Sequence, residues 1–129
     1  VEDKAVVLYI DDEYLNLSAF EILFRNKFTV FATHDPRKAF EIVKKNEVDV
    51  VIADQKMPMM TGVEILKQIT EINNSILRII HSGYIDDPEI KKAVDEGIAQ
   101  FILDKPLNKI MMLKMIDVYM ESKGSRTLL

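Results

Sequence analysis

Five short apolar runs recur along the chain, "AVVLYI" (5–10), "FTVFA" (28–32), "VDVVIA" (48–53), "ILRIIHS" (76–82) and "QFIL" (100–103), and each is followed by a segment of helical character. This alternation constrains the fold more than any other feature. The first, third and fourth runs are rich in β-branched residues and too continuously apolar for half-exposed antiparallel strands, so they read as parallel strands buried on both faces. Parallel neighbours need right-handed crossovers. Five strands alternating with five helices therefore predict an α/β fold, a doubly wound parallel sheet covered by helices on both sides.

Helix boundaries carry signals of their own. Asp35-Pro36 and Asp87-Pro88 each set a capping carboxylate before a proline at the first helical position, and Thr61 with Glu64 has the spacing of a capping box. Leu17, Phe20 and Phe24 recur at helical spacing, as do Ile90, Ala93, Val94 and Ile98, which gives each of these helices one face to bury. A chain of 129 residues holds a single sizeable core, expected over residues 1–122, with 123–129 a tail or the start of a linker. The missing initial methionine suggests a piece excised from something longer.

Composition removes several classes of function. There is no cysteine, so disulfides and thiolate metal sites are out and a reducing cytoplasm is the expected home. A net charge of -4 and a pI near 5.2 speak against direct nucleic-acid binding, which needs a basic face to displace counterions. No apolar run reaches the roughly 18 residues a membrane span requires.

In open α/β sheets, ligands bind outside the carboxyl ends of the strands. Here the first strand runs into Asp11-Asp12-Glu13, the third into Asp54, the fourth into Ser82-Gly83 and the fifth into Asp104-Lys105-Pro106. If strands one and three are neighbours, the carboxylates of Asp11, Asp12 and Asp54 gather within a few ångströms, a repulsive arrangement unless a cation joins them. Oxygen donors without histidine or cysteine suit a hard ion such as Mg²⁺, which accepts few carboxylates and favours a phosphate as a further ligand. Lys105 offers positive charge for phosphoryl oxygens, Ser82 a hydroxyl donor, and Gly83 the space a side chain would fill. Positioning and charge neutralisation are what phosphoryl transfer asks of a protein.

With these residues in view, the chain resembles the receiver domain of bacterial two-component response regulators, from "VVLYIDDE" through "VVIADQKMPMMTG" and "RIIHSGY" to "FILDKP". The resemblance implies a flavodoxin-like sheet of order 2-1-3-4-5. It implies that Asp54 is the phosphoryl acceptor, standing exposed on a rigid strand end. Asp12 would be a direct Mg²⁺ ligand, Asp11 would act mainly through water, and the backbone carbonyl of Lys56 would complete the protein ligands. Ser82 would swing onto the phosphoryl group, Lys105 would pair with it, and Pro106 would follow a cis peptide bond. Lys56 and Tyr84 would line the path of the water that attacks the phosphorylated form. The implied partners are a sensor histidine kinase or a histidine phosphotransfer protein, with an effector domain or a second copy at the fourth helix, fifth strand and fifth helix.

The sequence departs from that family in one place. Members usually carry Tyr or Phe three residues before the lysine, where this chain has Ile102, with Phe101 one residue earlier. Either an insertion after Gly97 restores Phe101 to that position, or the aromatic half of the switch is missing; the second is favoured.

Taken singly, these residues have ordinary explanations: Asp11 or Asp12 as a helix cap, Asp54 as a turn former, Lys105-Pro106 as a turn. Four strand ends carrying the needed types in the needed order argue against coincidence. His81 cannot serve Ser82 as a base, because successive strand residues point to opposite faces; His34 reads as a loop residue. Met111, Met112, Met115 and Met120 share one helix and cannot all face inward, so they divide between core filler and an adaptable surface. A Mg²⁺-dependent phosphatase of the haloacid-dehalogenase type would want a second aspartate where Lys56 stands. A degenerate receiver serving only as a binding module would not need the intact acidic set.

Overall fold

The structure is a computed structural model that describes residues 4–123; apart from Lys123, the tail expected at 123–129 lies outside the described residues. Five strands and five helices alternate: β1 (Val6–Ile10), α1 (Tyr14–Phe24), β2 (Thr29–Thr33), α2 (Pro36–Lys45), β3 (Val50–Asp54), α3 (Gly62–Ile72), β4 (Leu77–Ser82), α4 (Pro88–Asp95), β5 (Phe101–Asp104) and α5 (Lys109–Ser122). The sheet is parallel throughout and ordered β2-β1-β3-β4-β5. The three runs read as doubly buried form its middle: β3 and β4 are buried at every position and β1 at all but Val6, whereas the edges β2 and β5 are partly exposed.

Side-chain alternation along each strand divides the core in two. Leu8, Ile10, Val51, Ala53 and Ile80 face α2, α3 and α4. Val7, Tyr9, Val50, Ile52, Leu77, Ile79 and Leu103 face α1 and α5, where Leu17, Phe20 and Phe24 supply the buried stripe expected of α1. This face holds an aromatic chain: Tyr9 stacks on Phe20 with centroids 4.1 Å apart, and Phe20 meets Phe24 at 4.7 Å.

Local signals place the helix starts. Asp35 accepts from the Arg37 N–H and Asp87 from the Glu89 N–H, each with proline next in the chain, and Thr61 and Glu64 form the reciprocal capping box. Helix α1 differs. Its N-cap is Glu13, which makes no side-chain cap, and the Glu13 N–H instead donates to Asp11 Oδ1 at 2.9 Å. Helix α4 is also shorter than its apolar spacing suggested. It ends at Asp95, the chain turns at Gly97 with φ of 77°, and Ile98 reaches the core from beyond the helix. Val94 is left 37% exposed, because a two-turn helix buries one stripe and Ile90 with Ala93 occupies it. The methionines of α5 divide as expected: Met112 and Met120 are buried, Met115 packs partly against the core, and Met111 is 49% exposed.

At the end of the sheet away from the acidic cluster, Arg78 is buried and forms no ion pair with a carboxylate among the described residues. Its guanidinium donates to the carbonyls of Asn74, Ile76, Gly97 and Ile98. The α3–β4 connection and the turn after α4 are thereby tied together.

Candidate functional site

The central strands place the site. The register pairs Ile10 with Ala53 and Asp54 with His81, so Asp11, Asp54 and His81 form one row across the carboxyl ends of β1, β3 and β4. Alternation turns that row toward the α1 and α5 side of the sheet. Carboxylate oxygens of Asp11, Asp12 and Asp54 all lie within 4.8 Å of one another. Asp11 is fully buried and held from several sides: its Oδ2 accepts from the Tyr9 hydroxyl and from Asn16 Nδ2, each at 3.2 Å, while Oδ1 takes the Glu13 N–H.

Asp54 does not stand exposed, as the reading of the strand end expected. It is 4% accessible, because Lys105 closes over it with Nζ 2.9 Å from Oδ1. Burial raises the Asp54 pKa; Lys105 opposes that rise, and the charges of Asp11 and Asp12 add to it. Burial works against the charged form of Lys105 as well, but the hydrogen bond and charge of Asp54, with Asp11 and Glu13, leave its pKa raised. The peptide bond between Lys105 and Pro106 is cis.

Ser82 is buried at the end of β4, and its Oγ accepts the Tyr84 N–H at 2.9 Å. A Cβ added at Gly83 would meet nothing within 4 Å, so the room there is open and does not itself demand glycine. Tyr84 is exposed, and Lys56 Nζ stands 4.1 Å from its ring centroid. These two side chains, from the loops after β3 and β4, thus meet in a cation–π contact. His81 and Ser82 follow the facing expected of them, since Ile79 and Ile80 before them lie in opposite halves of the core. His34 bonds the Tyr14 hydroxyl at 2.9 Å.

The arrangement offers a buried carboxylate with one oxygen held by an ammonium, two further carboxylates for a divalent cation, and a hydroxyl on the neighbouring strand. The sequence profile of the response regulator receiver domain matches residues 7–117. This chain belongs to the response regulator receiver family. The receiver is 37% identical over 103 residues to the hydrogenase transcriptional regulatory protein HoxA of Cupriavidus necator, covering 79% of this chain but 21% of that protein. It therefore spans about a fifth of the regulator's length. A relative nearer in size is sporulation initiation phosphotransferase F of Bacillus subtilis, 30% identical over 92 residues, covering 70% of this chain and 74% of that one. Among solved structures, a response regulator receiver domain from Clostridium thermocellum superposes with a TM-score of 0.84 at 30% identity, covering 93% of this chain and 97% of the other.

Within the receiver, β5 continues its ladder without a bulge, pairing Ile79 with Phe101, Ile80 with Ile102, His81 with Leu103 and Ser82 with Asp104. Phe101 and Ile102 therefore point to opposite faces of the sheet. Ile102 packs toward the α3 and α4 half of the core, while Phe101, 41% exposed, lines a cavity of about 600 Å³ with Met115, Val118 and Tyr119 of α5.

Several residues around the site escaped the sequence reading. Tyr9 and Asn16, which hold Asp11, gave no signal because their partner lies in a strand or turn of unknown geometry. Gly62 could have been found. A Cβ there would sit 2.5 Å from the Asp54 carbonyl oxygen, and a glycine just inside a helix start signal hints at such a close approach. Gln55, next to Asp54, is buried, and Glu89 on α4 bonds both Gln55 and Thr61; nothing in the sequence links positions 34 apart.

Proposed function

We propose that this receiver is a phospho-accepting switch in which Asp54 takes a phosphoryl group from a histidine kinase or a histidine phosphotransfer protein. The observation that carries the reading is the Asp54–Lys105 pair, at 2.9 Å, set beside the carboxylates of Asp11 and Asp12 at the end of the adjacent strand. A carboxylate oxygen of Asp54 attacks the phosphorus of a phosphohistidine, the P–N bond breaks, and the imidazole leaves with the electron pair. Lys105 holds one carboxylate oxygen beforehand, which fixes the nucleophile's orientation, and its ammonium then moves to the new phosphoryl oxygens. Ser82 rotates its hydroxyl to the same group. The donor set is all oxygen and mutually repulsive, which fits a hard divalent cation: Asp11, Asp12, Asp54 and the Lys56 carbonyl would hold Mg²⁺, which neutralises charge on the phosphoryl oxygens when bound.

Lys56 and Tyr84 shield the acylphosphate from water through their cation–π contact. Because Ile102 stands where an aromatic residue is usual, the response passes through the Ser82 loop and α4 without a ring rotating inward. The domain turns over no substrate beyond its own phosphorylation and dephosphorylation. We assign it to the cytoplasm, with no direct contact to nucleic acid; no helix among the described residues is long and apolar enough to cross a membrane. Output would run through an effector domain or a second copy at α4, β5 and α5.

The test is intact-mass spectrometry after incubation with acetyl phosphate and Mg²⁺. One phosphoryl adduct is expected, absent in Asp54→Asn. No adduct on the unaltered protein, or an undiminished adduct in the variant, would falsify the assignment.

A further inference from the structure

We propose that Glu89 is the residue that couples helix α4 to the acceptor loop, through a carboxylate bridge to Gln55 and Thr61; the proposal rests on Asp54 being the acceptor. Both carboxylate oxygens are engaged. Oε1 accepts from Gln55 Nε2 at 2.6 Å and Oε2 from the Thr61 hydroxyl at 3.1 Å. Gln55 directly follows Asp54, and Thr61 is the N-cap of α3, so one side chain of α4 grips both ends of the loop that contains Lys56.

The other bonds of Gln55 tie it to the start of α3 and to β4. Its Oε1 takes the Val63 N–H at 3.0 Å, its carbonyl takes the Gly62 N–H at 3.1 Å, and its own N–H donates to His81 O at 3.2 Å. The Val63 bond holds the amide oxygen, and the NH₂ faces Glu89. On the α4 side, Glu89 is fixed by the first turn of the helix, where its N–H donates to the capping Asp87. That turn is in turn continuous with Ser82: the Tyr84 N–H donates to Ser82 Oγ, and the Asp87 N–H donates to the Tyr84 carbonyl at 3.2 Å.

The start of α4 thus hangs from two supports. One is the run of turn bonds that ends on the Ser82 hydroxyl; the other is the Glu89 bridge. A phosphoryl group on Asp54 that recruits Ser82 pulls on the first, and the bridge transmits the change between the acceptor loop and the helix. Coupling through such a bridge is reciprocal, so the position of α4 sets the geometry of the loop as much as the loop sets the helix. The apolar β5 position facing this region holds Ile102, which has no polar handle to carry the signal. Glu89 touches no reacting atom and acts as a positioning residue.

Hydrogen exchange read segment by segment tests this, on the unaltered protein, Glu89→Ala and Glu89→Gln, each alone and with Mg²⁺ and beryllofluoride as the phosphoryl mimic. In the absence of the mimic, Glu89→Ala should speed exchange across residues 84–95 by roughly tenfold or more, with β1, β3 and β4 unchanged. Bound mimic should shift exchange of that segment in the unaltered protein and by much less in Glu89→Ala, where only the Ser82 turn still links the helix to the site. Glu89→Gln keeps an acceptor for Gln55 and a polar contact for Thr61, and should behave as the unaltered protein does. The proposal is overturned if the alanine variant keeps the unaltered exchange and response, if its central strands loosen along with α4, or if glutamine fails to rescue. Should the unaltered protein not bind beryllofluoride, the acceptor reading falls, and exchange in the mimic-free proteins still decides whether Glu89 ties α4 to the loop.

Discussion

Asp12 shares its cluster with two carboxylates that are both nearly inaccessible, Asp11 and Asp54. Lys105 compensates one of them, and the rest of the repulsion remains for folding to overcome when no cation is present. Such a cost is retained for function, and removing it should stabilise the fold. Asp12→Ala is expected to raise the urea midpoint in EDTA at neutral pH, by about 0.5–2 kcal/mol, and to abolish stabilisation by added Mg²⁺. A carboxylate that merely capped α1 would give the opposite sign, a loss of about 1 kcal/mol; the cap of that helix is Glu13, with Asp11 receiving its N–H. A lower midpoint combined with undiminished Mg²⁺ stabilisation would remove Asp12 from the metal site.

Among the elements, β3 and α3 meet at a close-packed junction. The first residue of α3, Gly62, lies so close to the end of β3 that an alanine Cβ would approach the Asp54 carbonyl oxygen to 2.5 Å. Gly62→Ala should cost about 1–3 kcal/mol in urea unfolding, whereas Gly83→Ala, whose Cβ meets nothing within 4 Å, should leave the midpoint unchanged. Equal losses in the two would contradict this contrast. The loops after β3 and β4 meet through Lys56 and Tyr84, and Tyr84→Ala should quicken loss of the phosphoryl group by opening the path of water; an unchanged lifetime would discard the shielding role. These junctions also show what a sequence can disclose. Helix starts were legible because Asp35, Thr61 and Asp87 act on backbone two or three residues away. The middle strands were legible because burial on both faces leaves an unbroken apolar run. Strand order came through the family resemblance, and the Glu89 bridge, the lid of Lys105 over Asp54 and the exposure of Val94 each depend on contacts between distant segments, which no local pattern encodes.

For the molecule as a whole, His81 is one group whose titration links stability to pH. Its ring nitrogens are both buried, with no hydrogen-bond partner among the described residues, and burial, assisted by the Lys105 charge, lowers its pKa from 6.5 to about 4. The unfolded chain therefore binds a proton that the folded one refuses across that window. Stability should be intact above pH 6.5 and fall as the pH drops toward 4, by about 3 kcal/mol at 1.36 kcal/mol per pKa unit. Asp54 acts in the opposite sense, since its raised pKa favours the fold at low pH and loses that contribution as pH rises through it. Urea midpoints across the range should show the fall in the native chain and a flatter profile in His81→Leu; parallel profiles would exclude the histidine. The same row of the sheet has a consequence for signalling. Because Lys105 already sits on Asp54, the proposed phosphoryl transfer would meet a closed ion pair, and the ammonium would trade one anion for another without ever being left alone. Modification would then be a change of partner for the ammonium, while the charge that Asp11 and Asp12 leave uncompensated stays available to a cation.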